Sequence, residues 1–340
     1  SIVGKNVVLG LPIGLGKPIH IANEFYRRAK NGDITLTICS GLTLEAPRWN
    51  SELERRMIEP LVKRLFPEWP KADYMDDMRA KKLPDNVTIR EFYCSPGAFL
   101  DQEHIQQNYV SSNYTHVARD MLLSGSNVCA VVVADGEYHG RHLYSLGGNC
   151  DAALNMIDAT NDAIARGEKC AVIGLINDRM PYTFGGSLLE PSRFTALVDD
   201  PALYHNLFAA PHEPITSAEY FIGLNASAII KDGGTFQVGF GSLGDALTYA
   251  LLLRQEKNDL YNKLLGATDI ATNFSDEIAR MGDTGTFEKG LYACTEFYYD
   301  GFIKLMRSGV IKRKVYDNEG IQRLIINEKI TEKVTPKTLE

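Results

Sequence analysis

VCAVVVA at residues 128–134 and CAVIGLI at residues 170–176 decide the fold. Each is a nearly unbroken apolar run of strand length. A strand with one face in water alternates apolar and polar residues. A run that is apolar throughout has both faces covered, as in a parallel sheet lying between helices. Residues 152–166 supply a helix between the two runs. Upstream, residues 7–9, ITLTIC at 34–39 and residues 87–93 read as further strands. The segments between them carry helical periodicity. Ile19, Ala22, Tyr26 and Ala29 share one helical face, and Arg27, Arg28 and Lys30 crowd that helix's C-terminal end. Residues 52–66 form a charged amphipathic helix ended by Pro67 and Pro70, residues 102–109 a short helix, and residues 111–125 a polar loop followed by a helix. Strands alternating with helices predict an open α/β domain.

The totals bound the rest. A chain of 340 residues predicts about two domains with real cores. Composition is globular, at 44% hydrophobic and 23% charged, and a net charge of −7 argues against a nucleic-acid backbone as the main partner. No window reaches the roughly 18 apolar residues of a spanning helix, so no membrane partner is expected. SIVGKNVVLG has no basic region followed by an apolar one, so no signal peptide is read, although the first residue is Ser and not Met. None of the six cysteines forms a C-x-x-C pair. Cys129 and Cys170 lie in strand-like runs, which fits reduced thiols and a cytoplasmic location.

The texture changes at DDPALYHNLFAAPHEP, residues 199–214, where three prolines mark a boundary. The expected domains are 1–209 and 210–340. Thr216 with Glu219 is a capping box that opens a helix over 217–230, and Asp232-Gly233-Gly234 stops it. A strand at 235–238 then runs into GFGSLGDA and a helix reaching about residue 255. Strand, glycine loop and helix also open the first domain, where residues 7–9 run into GLPIGLGKP with Gly10, Gly14 and Gly16, and Pro18 suits the first helical position. Gly239-Phe240-Gly241 echoes Gly14-Leu15-Gly16. Such a loop either cradles an anion with its N–H groups or simply makes a tight turn. Ile19 occupies the third glycine position of a dinucleotide fingerprint, which argues against a nicotinamide-dependent dehydrogenase. Lys17 is either an anion contact, for a phosphate or a carboxylate, or a solvated lysine at a helix start.

LYACTEFYYDGFIKLMRSGV, residues 291–310, reads as a short strand delivering Glu296 to the mouth of a helix. Thr295 is the expected N-cap. Phe302, Leu305 and Met306 form the inward stripe, Arg307 lies in the last turn, and Gly309 closes the helix. Glu296 would stay ionised there, either as a reactive carboxylate or merely as a favourable first-turn residue. Cys294, two residues earlier, is a lesser candidate nucleophile with no histidine base nearby in sequence. His139 and His142 in HGRH lack further ligands at a recognisable spacing, so no metal is expected, and His116 reads as a structural hydrogen-bonder.

Two segments in this order resemble one family. TFQVGFGSLGDALTYALL, followed about fifty residues later by GLYACTEFYYDGFIKLMRSGVIKRKVY, resembles the acetyl-CoA hydrolase/CoA-transferase family, which includes acetate and 4-hydroxybutyrate CoA-transferases. LPIGLGKPIHIANEFYRRA and SSNYTHVARD resemble the first domain of its longer bacterial members. The resemblance runs from about residue 5 to 338. It implies two similar open α/β domains, the second incomplete. It implies a covalent glutamyl-CoA thioester on Glu296, with Gly239, Phe240, Gly241 and Ser242 in the oxyanion and CoA-binding loop. Ser242 stands where many members have Asn, and a further glycine-rich CoA loop of the family lies beyond the last residue. The resemblance therefore implies the first half to two-thirds of a longer enzyme, with weak or no turnover by residues 1–340 alone.

The same parts suit the chemistry on physical grounds. A carboxylate nucleophile needs proximity and desolvation, and each tetrahedral step puts charge on an oxygen that loop N–H groups can hold. The expected substrates are an acyl-CoA and a small carboxylate, with coenzyme A as a substrate and no permanently bound cofactor. Whether a carboxylate or water resolves the intermediate, and so transferase or hydrolase, stays open. So do a homodimer and the alternative of a non-catalytic CoA- or nucleotide-binding module.

Overall fold

The computed structural model describes residues 2–208, 212–295, 297–316 and 318–331. The chain forms two compact units, Ser1–Ala209 and Ala210–Glu340. In the first unit β1 (Asn6–Gly10), α1 (Ile19–Lys30), β2 (Thr35–Ser40), α2 (Glu52–Leu65), α3 (Asp73–Arg79), β3 (Val87–Glu91), α4 (Glu103–Gln107) and α5 (Val117–Leu123) come first. They are followed by β4 (Val128–Tyr138), β5 (Arg141–Ser145), α6 (Asp151–Ala165), β6 (Ala171–Ile176), β7 (Leu188–Leu189) and β8 (Ala196–Val198). Strands β3-β2-β1-β4-β6-β8 lie side by side and all run parallel. The sheet reverses its order at β1 and β4, as a doubly wound sheet does.

The apolar run of β4 shows why this sheet needs helices on both faces. Val128, Ala130, Val132 and Ala134 face one core, which they share with Ile19, Ala22 and Tyr26 of α1 and Tyr74 and Met75 of α3. Cys129, Val131 and Val133 face the other, with Met121 of α5 and Ala153, Met156 and Ile157 of α6. Successive side chains point to opposite faces, so an apolar residue at every position serves two cores.

β4 does not end where the apolar run ends. It continues to Tyr138, turns at His139 and Gly140 with φ +53° and +71°, and returns antiparallel as β5. HGRH is thus a hairpin turn, with His142 Nε2 2.5 Å from the Asp135 carboxylate on the facing strand. The sequence hid this extension because Asp135 and Glu137 are polar. A strand leaving the covered sheet no longer needs apolar residues on both faces.

The second unit contains α7 (Ser217–Ala228), β9 (Thr235–Gln237), α8 (Ser242–Glu256), α9 (Asn258–Gly266), α10 (Ile270–Asn273), α11 (Ser275–Met281), β10 (Tyr292–Cys294), α12 (Asp300–Arg307) and α13 (Glu319–Ile326). The Thr216–Glu219 capping box is formed in both directions. Among the described residues the unit's sheet is one parallel pair, β9 with β10. Phe236, Val238, Leu251, Phe287, Leu291, Phe302 and Leu305 pack behind it. Gly223 lets α7 meet α8 backbone to backbone, since a Cβ there would lie 2.6 Å from the Ala246 carbonyl carbon.

Helix α12 starts at Asp300 with Tyr299 as its N-cap, so Thr295 does not cap it. Phe302 and Leu305 are buried as the spacing predicts, but Met306 is exposed and lies 3.6 Å from the Tyr298 hydroxyl. Gly309 closes the helix at φ +76°.

Arg254, on α8, is wholly buried. Its guanidinium donates to the carbonyls of Ser227 (3.0 Å) in the last turn of α7, of Ile230 (2.6 Å) beyond it, and of Gly285 (2.6 Å). Its plane lies 4.3 Å from the Phe287 ring centre. Three carbonyls, one buried and two half-buried, thus share one cation. Arg254→Met should leave them unpaired and cost about 3 kcal/mol or more in a urea-unfolding titration. Arg254→Lys, which lacks the planar fork, should fall between the two. Wild-type stability in Arg254→Met would show that the carbonyls find other partners.

Candidate active site

Parallel pairing of β9 with β10 builds this site. Thr235, Phe236 and Gln237 stand opposite Tyr292, Ala293 and Cys294. Both strands leave the pair at the same end, so Val238-Gly239-Phe240-Gly241 emerges beside Thr295 and Phe297. The Thr295 hydroxyl lies 3.0 Å from the Val238 carbonyl and 2.8 Å from the Phe297 carbonyl, the two acceptors for its one proton, and it accepts the N–H of Phe297 at 3.2 Å. The Thr295 side chain therefore joins the two segments and closes a turn, instead of capping a helix. The rings of Phe240 and Phe297 meet across the same gap, 4.9 Å apart at their centres. Glu296 lies outside the described residues; the residues on either side of it are those just named.

The glycine loop has the geometry its sequence asks for. Gly241 is the N-cap of α8 at φ +121° and ψ 173°, a region essentially reserved for glycine. A Cβ added at Gly239 or Gly241 would meet no heavy atom within 4 Å. Both glycines therefore border open space, and packing does not demand them. Gly244 shows the opposite case: its Cβ would lie 2.0 Å from the Gly239 carbonyl oxygen, so only glycine lets the helix begin this close to the loop. The first N–H groups of α8 have no helical acceptors, which suits an anion. The Ser242 hydroxyl is committed elsewhere, donating to the Glu219 carboxylate, and that bond with Thr216 holds the Glu219 carboxyl below its usual range. Cys294 is exposed, with its sulfur 3.8 Å from the Phe236 carbonyl.

The first-unit loop is built differently. Gly14, at φ +56°, and Gly16 lie in a single 3-10 turn. A Cβ on Gly16 would fall 2.8 Å from Asn149 Cβ, and one on Gly148 would fall 3.5 Å from the Gly16 nitrogen. The chain itself fills the space that a ligand would need at Gly16. Lys17 matches neither sequence-based alternative. It is wholly buried, and its ammonium donates to the Gly41 carbonyl at 3.0 Å and to Thr43 Oγ1 at 2.7 Å. The Thr43 hydroxyl passes the contact on to Glu91 Oε1 at 2.9 Å, and Glu91 is also buried. Burial pushes the Lys17 ammonium down to about 8, against the opposing pull of Glu91. Burial likewise raises the Glu91 carboxyl, with Lys17 opposing. This network ties together the loops that follow β1 and β2 and the end of β3. Its one signal in the sequence is the alternation VTIRE, which sets Glu91 on the inward face shared by Val87 and Ile89.

Among the described residues no group of three or more His, Cys, Asp or Glu side chains is arranged to hold a metal ion, and no helix is long and apolar enough to cross a membrane.

An α/β unit that sets an open glycine loop beside the residues flanking Glu296 is the class of structure defined here. No family model matches the chain. It is 33% identical over 87 residues to 4-hydroxybutyrate coenzyme A transferase from Clostridium kluyveri, covering 26% of this chain and 19% of that protein. It is 26% identical over 211 residues to succinyl-CoA:cyclohexane-1-carboxylate CoA transferase from Geobacter metallireducens, covering 58% of this chain and 44% of that one. Among solved structures, RipA from Yersinia pestis superposes with a TM-score of 0.51 at 17% identity, over 91% of this chain and 57% of RipA. A 4-hydroxybutyrate CoA-transferase from Porphyromonas gingivalis gives 0.50 at 18% identity, over 91% of this chain and 54% of its own. The chain is thus similar in sequence, over part of its length, to two CoA-transferases, and it shares the fold of a solved one. The matches cover less than half of each curated relative and a little over half of each solved chain.

The buried pair yields a sharp expectation. Lys17→Met should cost about 3–5 kcal/mol, because it leaves the Glu91 carboxyl buried without its cation. Adding Glu91→Met should restore much of that loss. The double-mutant cycle, read by chemical unfolding, decides it: additive losses would show that the two groups are not one unit.

Proposed function

We propose that this chain carries the nucleophile-bearing part of a CoA-transferase, which moves CoA from an acyl-CoA to a carboxylate through a glutamyl-CoA thioester on Glu296. The observation that carries the reading is the β9–β10 pair, with the Thr295–Val238 bond at its end, because it lays an open glycine loop beside the residues flanking Glu296. The relatives' names supply the substrate class, an acyl-CoA and a carboxylate.

The steps balance without a redox partner or a metal. The Glu296 carboxylate attacks the acyl carbonyl of the acyl-CoA, and CoA leaves as thiolate, giving a mixed anhydride. The thiolate attacks the glutamyl carbonyl and expels the first carboxylate, leaving glutamyl-CoA. An incoming carboxylate attacks that thioester and frees the thiolate, giving a second anhydride. The thiolate then takes the new acyl group and restores Glu296. Each tetrahedral oxygen needs donors, and the backbone N–H groups at Gly239–Gly241 and the start of α8 are suited to the role. Losing one such donor typically costs on the order of 3 kcal/mol. The Phe240 and Phe297 rings give the reacting carbonyl an apolar wall. Water in place of the second carboxylate would make the same intermediate a hydrolase.

The test is chemical trapping. Incubation with acetyl-CoA followed by borohydride should reduce the thioester and mark Glu296 in the peptide map. Glu296→Ala should abolish the mark and lower any turnover by about a thousandfold or more. An unmarked Glu296 with CoA still bound would favour a binding module. CoA release that needs no added carboxylate would favour hydrolysis over transfer.

A further inference from the structure

His212 stands ahead of the Thr216 capping box, and nothing in the proposed chemistry uses it. Its imidazole lies between two carboxylates, with Nδ1 2.9 Å from Asp245 Oδ2 and Nε2 3.3 Å from Asp300 Oδ1. Asp245 lies in the first turn of α8, the helix that follows Gly239-Phe240-Gly241. Asp300 opens α12, the helix that follows the Glu296 segment. The same side chains line a pocket of about 280 Å³ with Thr248, Tyr249 and Lys304. The Thr248 hydroxyl, in the second turn of α8, lies 3.1 Å from that of Tyr299, the α12 N-cap, a second link between the two helices.

A neutral imidazole can donate through Nδ1 to Asp245, but it has no charge to offer the Asp300 carboxylate 3.3 Å from Nε2, where its second nitrogen would present a lone pair. Only the imidazolium suits both the hydrogen bond and the ion-pair contact. We infer that His212 is a positioning residue whose protonated ring holds the start of the glycine-loop helix to the start of the helix beyond Glu296, and that it releases them when it loses its proton.

The charged surroundings agree with this geometry. Asp245 and Tyr249 line the pocket with the ring from α8, and Asp300 and Lys304 from α12. Lys304 takes Asp300 Oδ2 at 2.7 Å and leaves Oδ1 for His212. The hydrogen bond to Asp245, then that carboxylate's charge, raises the His212 pKa above its ordinary 6.5, with Asp300 adding to the shift and Lys304 opposing it. For a base whose folded pKa is raised, the contact contributes fully below pH 6.5 and is lost as pH rises through the raised value. The consequence for catalysis rests on the proposed function; the clamp itself does not.

Histidine NMR and amide hydrogen exchange on the chain test it between pH 5.5 and 8.5. The His212 ring should titrate above 6.5, and Asp245→Asn should bring it down. After correction for intrinsic base catalysis, exchange of amides 243–246 and 301–304 should quicken about threefold across that titration, on the scale of exposed ion pairs. His212→Gln should show the faster exchange at every pH. His212→Arg, which keeps two donors at every pH, should hold the slower exchange up to pH 8.5. A His212 pKa at or below 6.5, or exchange unchanged in His212→Gln, overturns the inference. Trapping at Glu296 should weaken with rising pH in the wild type and lose that dependence in His212→Gln. Trapping absent from both would sink the proposed chemistry and leave the clamp to be judged by titration and exchange.

Discussion

The parallel pairing of Thr235–Gln237 with Tyr292–Cys294 is the constraint on which the second unit depends. Two parallel strands cannot be joined by a hairpin, so the chain must leave at one end and return to the other. Here the return passes through α8 to α11. The pairing has one chemical consequence: both strands end on the same side, so whatever follows each of them emerges together. A glycine loop and the residues that flank Glu296, fifty-odd positions apart in sequence, become neighbours through the direction of their strands. The Thr295 hydroxyl on the Val238 carbonyl fixes the spacing at that end, and the Phe240–Phe297 contact fills it.

Each unit also contains a fully buried cation whose work is internal. Arg254 gathers carbonyls from the end of α7 and from the segment before β10. Lys17 gathers Gly41 and Thr43 and, through Thr43, the Glu91 carboxylate. The two differ in chemical risk. A guanidinium stays charged in any protein interior, so Arg254 is a fixed strut. An ammonium shifts readily when desolvated, and Lys17 is drawn down to about 8. Its charge is kept by a carboxyl that is itself raised by burial. The two are joined through Thr43 and each opposes the other's burial shift.

The two glycine loops look alike in sequence and differ in space. At Gly239 and Gly241 the backbone borders open volume, whereas at Gly16 the Asn149 side chain occupies it. Glycine serves both purposes, closeness to a ligand and closeness to the protein's own chain, and the residue type cannot say which. The same ambiguity affected Thr295 and Lys17. A threonine before an acidic residue reads as an N-cap, and a lysine at a helix start reads as solvated, because local pattern weighs only sequence neighbours. In the structure one partner of Thr295 is 57 residues away, the other being Phe297, and those of Lys17 are 24 and 26 away.

By itself the sequence determined the covered parallel sheet, the helix that begins at the Thr216–Glu219 box, the inward face of α1, Phe302 and Leu305 but not Met306 on that of α12, and the order of glycine loop and glutamate that resembles CoA-transferases. These follow from periodicities of two and of about 3.6 residues, and from caps that act within four residues. The tertiary structure alone decided that β4 runs on into a hairpin, that Lys17 and Glu91 are a buried pair, that Ser242 is held by Glu219, and that His212 sits between Asp245 and Asp300. Each of these is a contact between segments distant in sequence. Whether a polar group finds its partner in water or in protein depends on what the fold brings alongside it, and one-dimensional spacing carries no record of that.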